Sequence, residues 1–335
     1  MENEIEVMVG YEAKLDEVYA KESLTADLDS ESDLVTLVGG SFRVPKMSMD
    51  GLAKHDRSNG GVYVDGGASL SFETKTPDYD RNRKFTIDAM DDKETSGIAF
   101  GKLSGEFIRT KVVPEIDAVR FAKYHSVAGT KKAGIIADAK DFLAELRTAT
   151  NVMDEKEVPE ENRYLYATPS MINSVMALQT IESREVLAKF KKITKVPTSR
   201  FLAGIKLLDG KTEGEEKGGF KAEAITYSLT ADKEVNTNKV YFTRSGSEGS
   251  YTYAKVTSPA KASLGTYYEA KGGIPLNFLI VAKGANIQAL KHVAPKHIPS
   301  ALNQNADGDG YAYRVYGIND FYDNKANGIY SHSQY

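Results

Sequence analysis

Cysteine is absent from the 335 residues. That lack excludes disulfides, thiolate metal ligands and cysteine nucleophiles together. Long apolar runs are missing too. Among the longest is Phe278 to Ala282, far short of the ~20 residues that a bilayer span needs, and the mean hydropathy is -0.40. No membrane association is expected. The opening MENEIEVMVG has neither a basic n-region nor an apolar h-region, so no secretory signal is expected. The phosphate loop GxxxxGK[ST], a GxGxxG after a strand, HExxH and GxSxG are all absent. Histidines number five: His55, His125, His292, His297 and His332. His292 and His297 stand five apart with Pro295 between them, so they do not share a helix face, and a loop or surface role is expected for both. No lysine-rich stripe gives the electrostatic footprint of a nucleic-acid reader.

The length exceeds one ordinary core, which implies two domains or one domain with extensions. Hydrophobic residues at 41% and charged residues at 27% are ordinary for a folded chain. The charge is unevenly placed. Residues 1 to 38 carry eleven acidic and two basic side chains, a net of -9 against -4 for the whole chain, which leaves +5 on the rest. Leu15, Val18 and Tyr19 recur at helical spacing inside that stretch. The stretch reads either as a solvated acidic tail or as an arm that docks on a basic neighbour.

Asp33 to Met47 reads as two short strands broken at Gly39-Gly40, and Gly51 to Gly67 as loop. Leu70, Phe72 and Thr74 alternate with polar residues. A turn-like Pro77 to Asn82 follows, then Phe85, Ile87 and Ala89, which predicts a hairpin. Between Gly66 and Glu94 there are seven acids and five bases among 29 residues, so this hairpin cannot bury both faces at home and should seek partners. Gly101 to Val127 reads as helix, with Pro114 marking either a kink or a new start whose first turn holds Glu115 and Asp117. Ile135 to Ala149 is an amphipathic helix through Ile135, Ala139, Phe142, Leu143 and Leu146. Tyr164 to Ala167 is a strand, followed by a helix capped by Thr168 with Pro169 at its first position. Phe201 to Leu208 and Leu276 to Ala282 read as strands, Asp209 to Gly219 as exposed loop, and Tyr311 to Tyr330 as antiparallel strands. The pattern is α+β, not repeating βαβ.

Two near-misses for chemistry remain. Asn303, Asn305, Asp307 and Gly308 match positions 1, 3, 5 and 6 of a calcium loop, but Arg314 stands where a bidentate Glu is required. The stretch therefore reads as a polar turn. The acid pairs Asp91-Asp92 and Glu215-Glu216 sit in polar contexts and read as solvated loop residues. No catalytic, cofactor-binding or metal-ligating residue is assigned, and no cofactor is expected.

Lys84 to Tyr124 (KFTIDAMDDKETSGIAFGKLSGEFIRTKVVPEIDAVRFAKY) resembles the region of Hong Kong 97-type major capsid proteins of tailed bacteriophages in which a strand descends from an extended loop into a spine helix. Three further pieces agree in order: Tyr19 to Met47, Arg163 to Met176, and Leu276 to His332. The resemblance implies an N-terminal arm (1-48), an E-loop hairpin (49-97), a P-domain with spine helix (98-160), an A-domain (161-223), an A-domain return (273-300) and P-domain C-terminal strands (301-335). It implies a structural subunit, not an enzyme. That subunit would assemble with itself into pentamers and hexamers of an icosahedral virion shell, would be made in the host bacterial cytoplasm, and would enclose double-stranded DNA without reading its sequence. The arm-like segment starts close to Met1, so a separate scaffolding protein, and a portal, are expected during assembly.

Residues 224-272 depart from the pattern. They are rich in tyrosine and resemble a small β segment of structural proteins from phages of Gram-positive hosts. Strands are expected at Lys239 to Arg244, Ser250 to Val256 and Thr266 to Ala270. The stretch reads as an inserted surface module rather than as part of the A-domain sheet. Lys75 and Lys84 lie in the predicted hairpin, but no motif marks a partner for crosslinking, so none is predicted. The alternative within the same fold is an encapsulin-like compartment shell. A hydrolase or a cell-surface adhesin would need a convergent pocket or a secretion signal, and the sequence offers neither.

Overall fold

Leu276–Ala282 (β14) is buried along its whole length, as expected of a continuous apolar strand covered on both faces. It sits at the centre of a five-stranded mixed sheet ordered β5-β17-β14-β6-β7, whose other members are Thr130–Ala133 (β5), Arg163–Ala167 (β6), Lys192–Lys195 (β7) and Ile329–Ser333 (β17). The protein was analysed as a computed structural model that describes residues 23–30, 36–38, 41–55, 63–88, 104–247, 250–304 and 307–335. The expected α+β class holds.

Alternation along β14 divides the core. Phe278 and Ile280 face Ala139–Glu155 (α2), Pro169–Leu178 (α3) and Ile181–Ala188 (α4), packing on Phe142, Leu146, Ile172 and Val186. Leu279 and Val281 face Phe121 and Tyr124 of Val113–Val127 (α1) on the other side. The same helix reaches a second sheet, antiparallel and ordered β15-β16-β4, formed by Asn286–Ile298 (β15), Gly308–Phe321 (β16) and Tyr79–Asp88 (β4). There Val113 and Ile116 pack on Tyr79, Tyr311 and Val315. One helix therefore cements two sheets. Among the described residues no helix is long and apolar enough to cross a membrane.

At Pro114 the helix does not restart. The chain is helical from 104 to 127, with a π-helical turn at Ile108–Val112 ahead of the proline. The wider turn accommodates the missing N–H and the ring. Glu115 and Asp117 do not sit as solvated first-turn acids. Both are buried, and each collects donors.

Asp117 accepts from Ser23 Oγ (3.0 Å), the Leu24 amide (3.2 Å), Thr25 Oγ1 (2.8 Å) and Arg200 Nη1 (3.1 Å). Arg120, one turn on and buried, donates to Thr25 Oγ1 (2.8 Å), Asp29 Oδ1 (3.0 Å) and Asn319 Oδ1 (3.2 Å). Gln288 of β15 donates to the Thr25 carbonyl (3.0 Å), and Asn286 to the Leu28 carbonyl (2.8 Å). Residues 23–30 of the acidic stretch thus dock on their own chain, with Asp29 and Asp27 paired to Arg120 and Lys192. The expected apolar stripe at Leu15, Val18 and Tyr19 lies outside the described residues.

The predicted hairpin is corrected. Ala68–Lys75 (β3) and β4 do not pair. β3 pairs with Ser41–Met49 (β2), from Phe42↔Lys75 to Met49↔Ala68, and β2 pairs with Thr36–Val38 (β1). β4 instead runs along β16 from Tyr79↔Gly317 to Asp88↔Gly308. Pro77 separates two sheets rather than two arms of a turn, because Asp78 accepts the Asn319 amide (3.1 Å) and Tyr79 is buried.

Smaller corrections follow the same logic. α2 begins at Ala139, capped by Asp138, whose carboxylate takes the amides of Lys140 (2.8 Å) and Asp141 (2.9 Å); Ile135 lies before it, exposed. Thr168 stands at the start of α3, but its side chain makes no capping bond. Of Phe201 to Leu208 only Ile205–Leu207 (β8) is strand, paired with Phe220–Ala222 (β9). β16 and β17 belong to different sheets rather than to one antiparallel pair.

The tyrosine-rich stretch forms its own four-stranded sheet, ordered β10-β13-β11-β12, from Thr226–Leu229 (β10), Phe242–Ser245 (β11), Thr252–Lys255 (β12) and Tyr267–Lys271 (β13). Tyr241, Leu264 and Tyr267 give it a small core of its own.

Removing Asp117 would strand four donors and a buried arginine neighbourhood. Asp117→Ala should lose about 3–5 kcal/mol of stability in urea titrations. Asp117→Asn keeps one acceptor oxygen and should lose less. An alanine variant within about 1 kcal/mol of the parent, an ordinary surface effect, would show that the network carries no such weight.

Candidate functional site: an exposed apolar ribbon and a cavity

The polar residues singled out in the sequence do not converge. His55 lies near Tyr63, with ring centroids 5.9 Å apart. His125 ends α1 with Nδ1 2.7 Å from Ser331 Oγ. His292 and His297 are in strand β15 rather than in a loop, and Pro295 between them is accommodated because β15 is an edge strand. His297 Nε2 meets Asp309 Oδ2 at 3.2 Å. His332 is buried in β17, accepts from Asn277 Nδ2 (2.9 Å) and stacks on Phe278 at 5.0 Å. Among the described residues no group of histidines and carboxylates has the arrangement to hold a metal ion.

The near-misses have local partners. Asn303 Nδ2 donates to the Gly308 carbonyl (2.8 Å), and Arg314 pairs with Asp80 (2.7 Å). Glu215 accepts from Lys206 (2.6 Å) and the Asp209 amide (3.3 Å), and Glu216 from the Gly214 amide (2.9 Å), so both hold the loop that carries them. Asn305, Asp91 and Asp92 lie outside the described residues. Lys84 is exposed on β4. Lys75 meets Glu73 (2.8 Å) and Asp323 (2.9 Å). Burial pulls its ammonium down, but hydrogen bonds to Glu73 and Asp323 and the charge of Asp320 outweigh it and raise the pKa above the usual lysine value. Lys75 therefore anchors the base of β3 to the 3₁₀ segment Asp323–Gly328.

The larger feature is the β2–β3 ribbon. Its register places Pro45, Met47 and Met49 opposite Phe72, Leu70 and Ala68, all on one face. Met47 is 62% exposed, Leu70 58% and Phe72 59%. Leu52, Tyr63 and Val64 in the connecting segment are exposed as well. Lys46, Ser48, Ser69 and Ser71 take the other face. Fully burying one such apolar side chain contributes roughly 1.5–3 kcal/mol, and a two-stranded ribbon is marginal alone. A contiguous face of this kind marks an interaction surface. The sequence reading put the partner-seeking face on β3 and β4 and missed Met47 and Met49. The alternation of Pro45, Met47 and Met49 with Lys46, Ser48 and Asp50 was the signal available.

Separately, the π turn, β4, β16 and the loop after β8 line a cavity of about 550 Å³. Phe85 and Phe107 meet edge to face at 4.9 Å on its wall, with Arg83, Lys111 and Lys217 on its lining. Its carboxylates are occupied. Glu115 accepts from Tyr79 Oη (2.9 Å) and Arg81 Nε (2.8 Å), Glu106 pairs with Arg109, and Asp209 accepts the amides of Lys211 (2.8 Å) and Thr212 (2.9 Å).

No protein-family model matches the sequence, and neither does any curated protein. Among solved structures, the chain is similar to the mature capsid of bacteriophage PhiM1, at 9% identity over 87% of this chain and 81% of that one, with TM-score 0.49. It is similar to the virus-like particle from Pyrococcus furiosus at 12% identity over 96% and 99%, TM-score 0.47. It is also similar to the capsid of Staphylococcus phage Andhra at 12% identity over 92% and 83%, TM-score 0.45. Identities this low leave function to be argued from the chain's own geometry.

Buried His332 and part-buried His125 give the protein an acid-sensitive edge. Burial first, then the charge of Lys131, pushes His125 down to about 4. Burial pushes His332 down to about 4, with Glu145 opposing and Lys132 adding. Both are neutral in the folded state, while the unfolded chain takes up their protons near the ordinary 6.5. Stability should be full above pH 6.5 and fall as pH drops towards 4, by roughly 2–3 kcal/mol per histidine at most. Urea midpoints at pH 7.5, 5.5 and 4.5 measure it. The double variant His125→Gln/His332→Gln should flatten the slope over that window, and an unchanged slope would contradict the assignment.

Proposed function

We propose that this chain is the major capsid protein of a tailed bacteriophage, of the Hong Kong 97 type. It would be a structural subunit without turnover that assembles into the icosahedral shell around the genome. The observation that carries the reading is the β2–β3 ribbon, whose apolar face is left open by its own chain. A surface of that kind is completed when another subunit supplies the cover, and shells need contact areas beyond the ~1,600 Å² of an ordinary complex. The sequence resemblance spanning Lys84 to Tyr124 and Leu276 to His332 supports the same reading, as does a cavity whose carboxylates are already paired.

In this reading α1 is the spine helix, and the extended loop is β2–β3 with its connection, not the 49-97 span read from the sequence. The module 224-272 stands on the outside of the shell. Pentamers and hexamers of the chain would form in the host bacterial cytoplasm with a separate scaffolding protein and a portal, and would enclose double-stranded DNA without base readout. The phage would infect a Gram-positive host.

Negative-stain microscopy of the purified protein tests the reading. Closed shells or capsomers are expected from the parent chain. Met47→Asp/Leu70→Asp, which places charge on the open face, should abolish them while circular dichroism and thermal melting stay near those of the parent. A parent chain that remains monomeric at high concentration, or normal shells from the double variant, would sink the proposal.

A further inference from the structure

The sheet of the tyrosine-rich module has two unlike faces. One carries Tyr267 onto the small core with Tyr241 and Leu264. On the other, the register sets Leu229 beside Tyr268, Tyr268 beside Phe242 and Arg244 beside Tyr253. The rings of that face form a continuous column. Phe242 meets Tyr335 (5.8 Å) and Tyr227 (5.2 Å), Tyr227 stacks on Tyr253 at 3.9 Å, and Tyr253 meets Tyr268 at 5.5 Å. The Arg244 guanidinium then lies 5.0 Å from the Tyr268 ring and 4.3 Å from the Tyr251 ring. Tyr335 closes one end of the column. The Arg244 end is open, with Arg244 exposed and Tyr251 39% exposed.

Charge on this face is of one sign. Its strand positions include Arg244 and Lys255 and no carboxylate. Among the described residues the module's acids are engaged elsewhere: Asp232 with Lys239 (2.9 Å) and Tyr241 (2.7 Å), Glu269 on the opposite face with Lys239 (3.1 Å), and Glu234 with Lys261; Glu248 lies outside the described residues. Two rings hold the Arg244 guanidinium in place, and no ion pair among the described residues engages its fork of N–H donors. A guanidinium fixed in this way is preorganised for a bidentate oxyanion. Flat phenol faces next to it suit a ligand that is itself a ring with C–H groups on one side.

We propose that this face binds an anionic saccharide. A pyranose ring lies on Tyr251, a carboxylate or sulfate of the sugar sits on Arg244, and a second reaches Lys255. An acidic peptide fits less well, because it needs side-chain pockets or a strand edge to pair with, and the rings here pack against one another across the face.

The test is calorimetric titration of the full chain with four probes: a sulfated heparin-derived hexasaccharide, an oligogalacturonate, neutral maltohexaose and hexaglutamate. The first two separate sulfate from carboxylate. At least one of them should bind, with maltohexaose and hexaglutamate at least about tenfold weaker, a gap of ~1.4 kcal/mol. Arg244→Gln and Tyr251→Ala should each weaken that binding about tenfold or more. Lys271→Gln, on the opposite face, should leave it unchanged, with melting temperatures checked for all three. If Arg244→Gln fails to fold, Tyr251→Ala carries the test. The proposal is overturned if neither charged saccharide binds, if hexaglutamate binds as tightly, or if Lys271→Gln loses as much as Arg244→Gln. The outcome is independent of whether the chain forms shells.

Discussion

Asp117 and Arg120 on α1 form the junction on which the rest of the molecule depends. Two buried charges one turn apart would be costly if left open to a low-dielectric interior. They are matched by donors and acceptors from four distant places in the chain: residues 23–25, Asp29, Arg200 and Asn319. Hydrophobic contacts alone would let α1 slide between its two sheets, since apolar packing is not directional. The hydrogen bonds fix its rotation and height. That register in turn fixes which residues of β15 and β16 face the helix, and so where β4 runs beside β16 and where the β2–β3 ribbon leaves the body.

The ribbon's exit is held by charge. Lys75, at the last position of β3, is tied to Glu73 on its own strand, to Asp320 near the end of β16 and to Asp323 just beyond it. Each exposed pair contributes little singly, but together they sit at the hinge of an otherwise unsupported lever. Beyond Lys75 the ribbon gains its order from backbone pairing, while Met47, Leu70 and Phe72 stay exposed. Rigidity at the base and an apolar face at the far end divide the labour. The body sets the direction, and the apolar face at the far end is left open by its own chain.

Local chemistry was legible in the sequence where one residue decides the outcome. The seven-residue run of β14, the Phe142–Leu143–Leu146 stripe, the strand before Thr168 and the three strands of the tyrosine-rich stretch all appear close to where they were expected. Pairing was not legible. β3 and β4 alternate correctly and are separated by Pro77, which is the local signature of a hairpin. Only the burial of Tyr79 and the Asp78 bond to Asn319, 241 residues away, send β4 to another sheet. Acids were misread for a similar reason. Glu115 and Asp117 look like helix-dipole residues, and nothing nearby in sequence shows that Tyr79, Arg81, Thr25 and Arg200 converge on them. The open ribbon face was half legible: its polar content announced that the segment could not bury both faces at home, but the apolar half on β2 was assigned to a different pairing.

The module joins the body through backbone so closely packed that side chains are excluded. A Cβ at Gly204 would lie 2.8 Å from the Gly272 carbonyl oxygen, and one at Gly273 would lie 2.6 Å from that of Glu223. Gly272 itself has φ +111°, a conformation that L side chains rarely adopt. The Gly273 amide donates to the Glu223 carbonyl (3.1 Å) and the Ala203 amide to that of Ile274 (2.8 Å), so entry and exit strands are stitched at one point. Such a neck transmits orientation without sharing a core, because the module packs on Tyr241, Leu264 and Tyr267 while β14 packs on α1 and α2. Apart from Phe242, which meets Tyr335 (5.8 Å), and Asn238, whose carbonyl accepts the Ala133 amide (2.8 Å), the module can therefore vary its open aromatic face without disturbing the packing that sets the direction of the ribbon, and the two surfaces answer to separate physical demands.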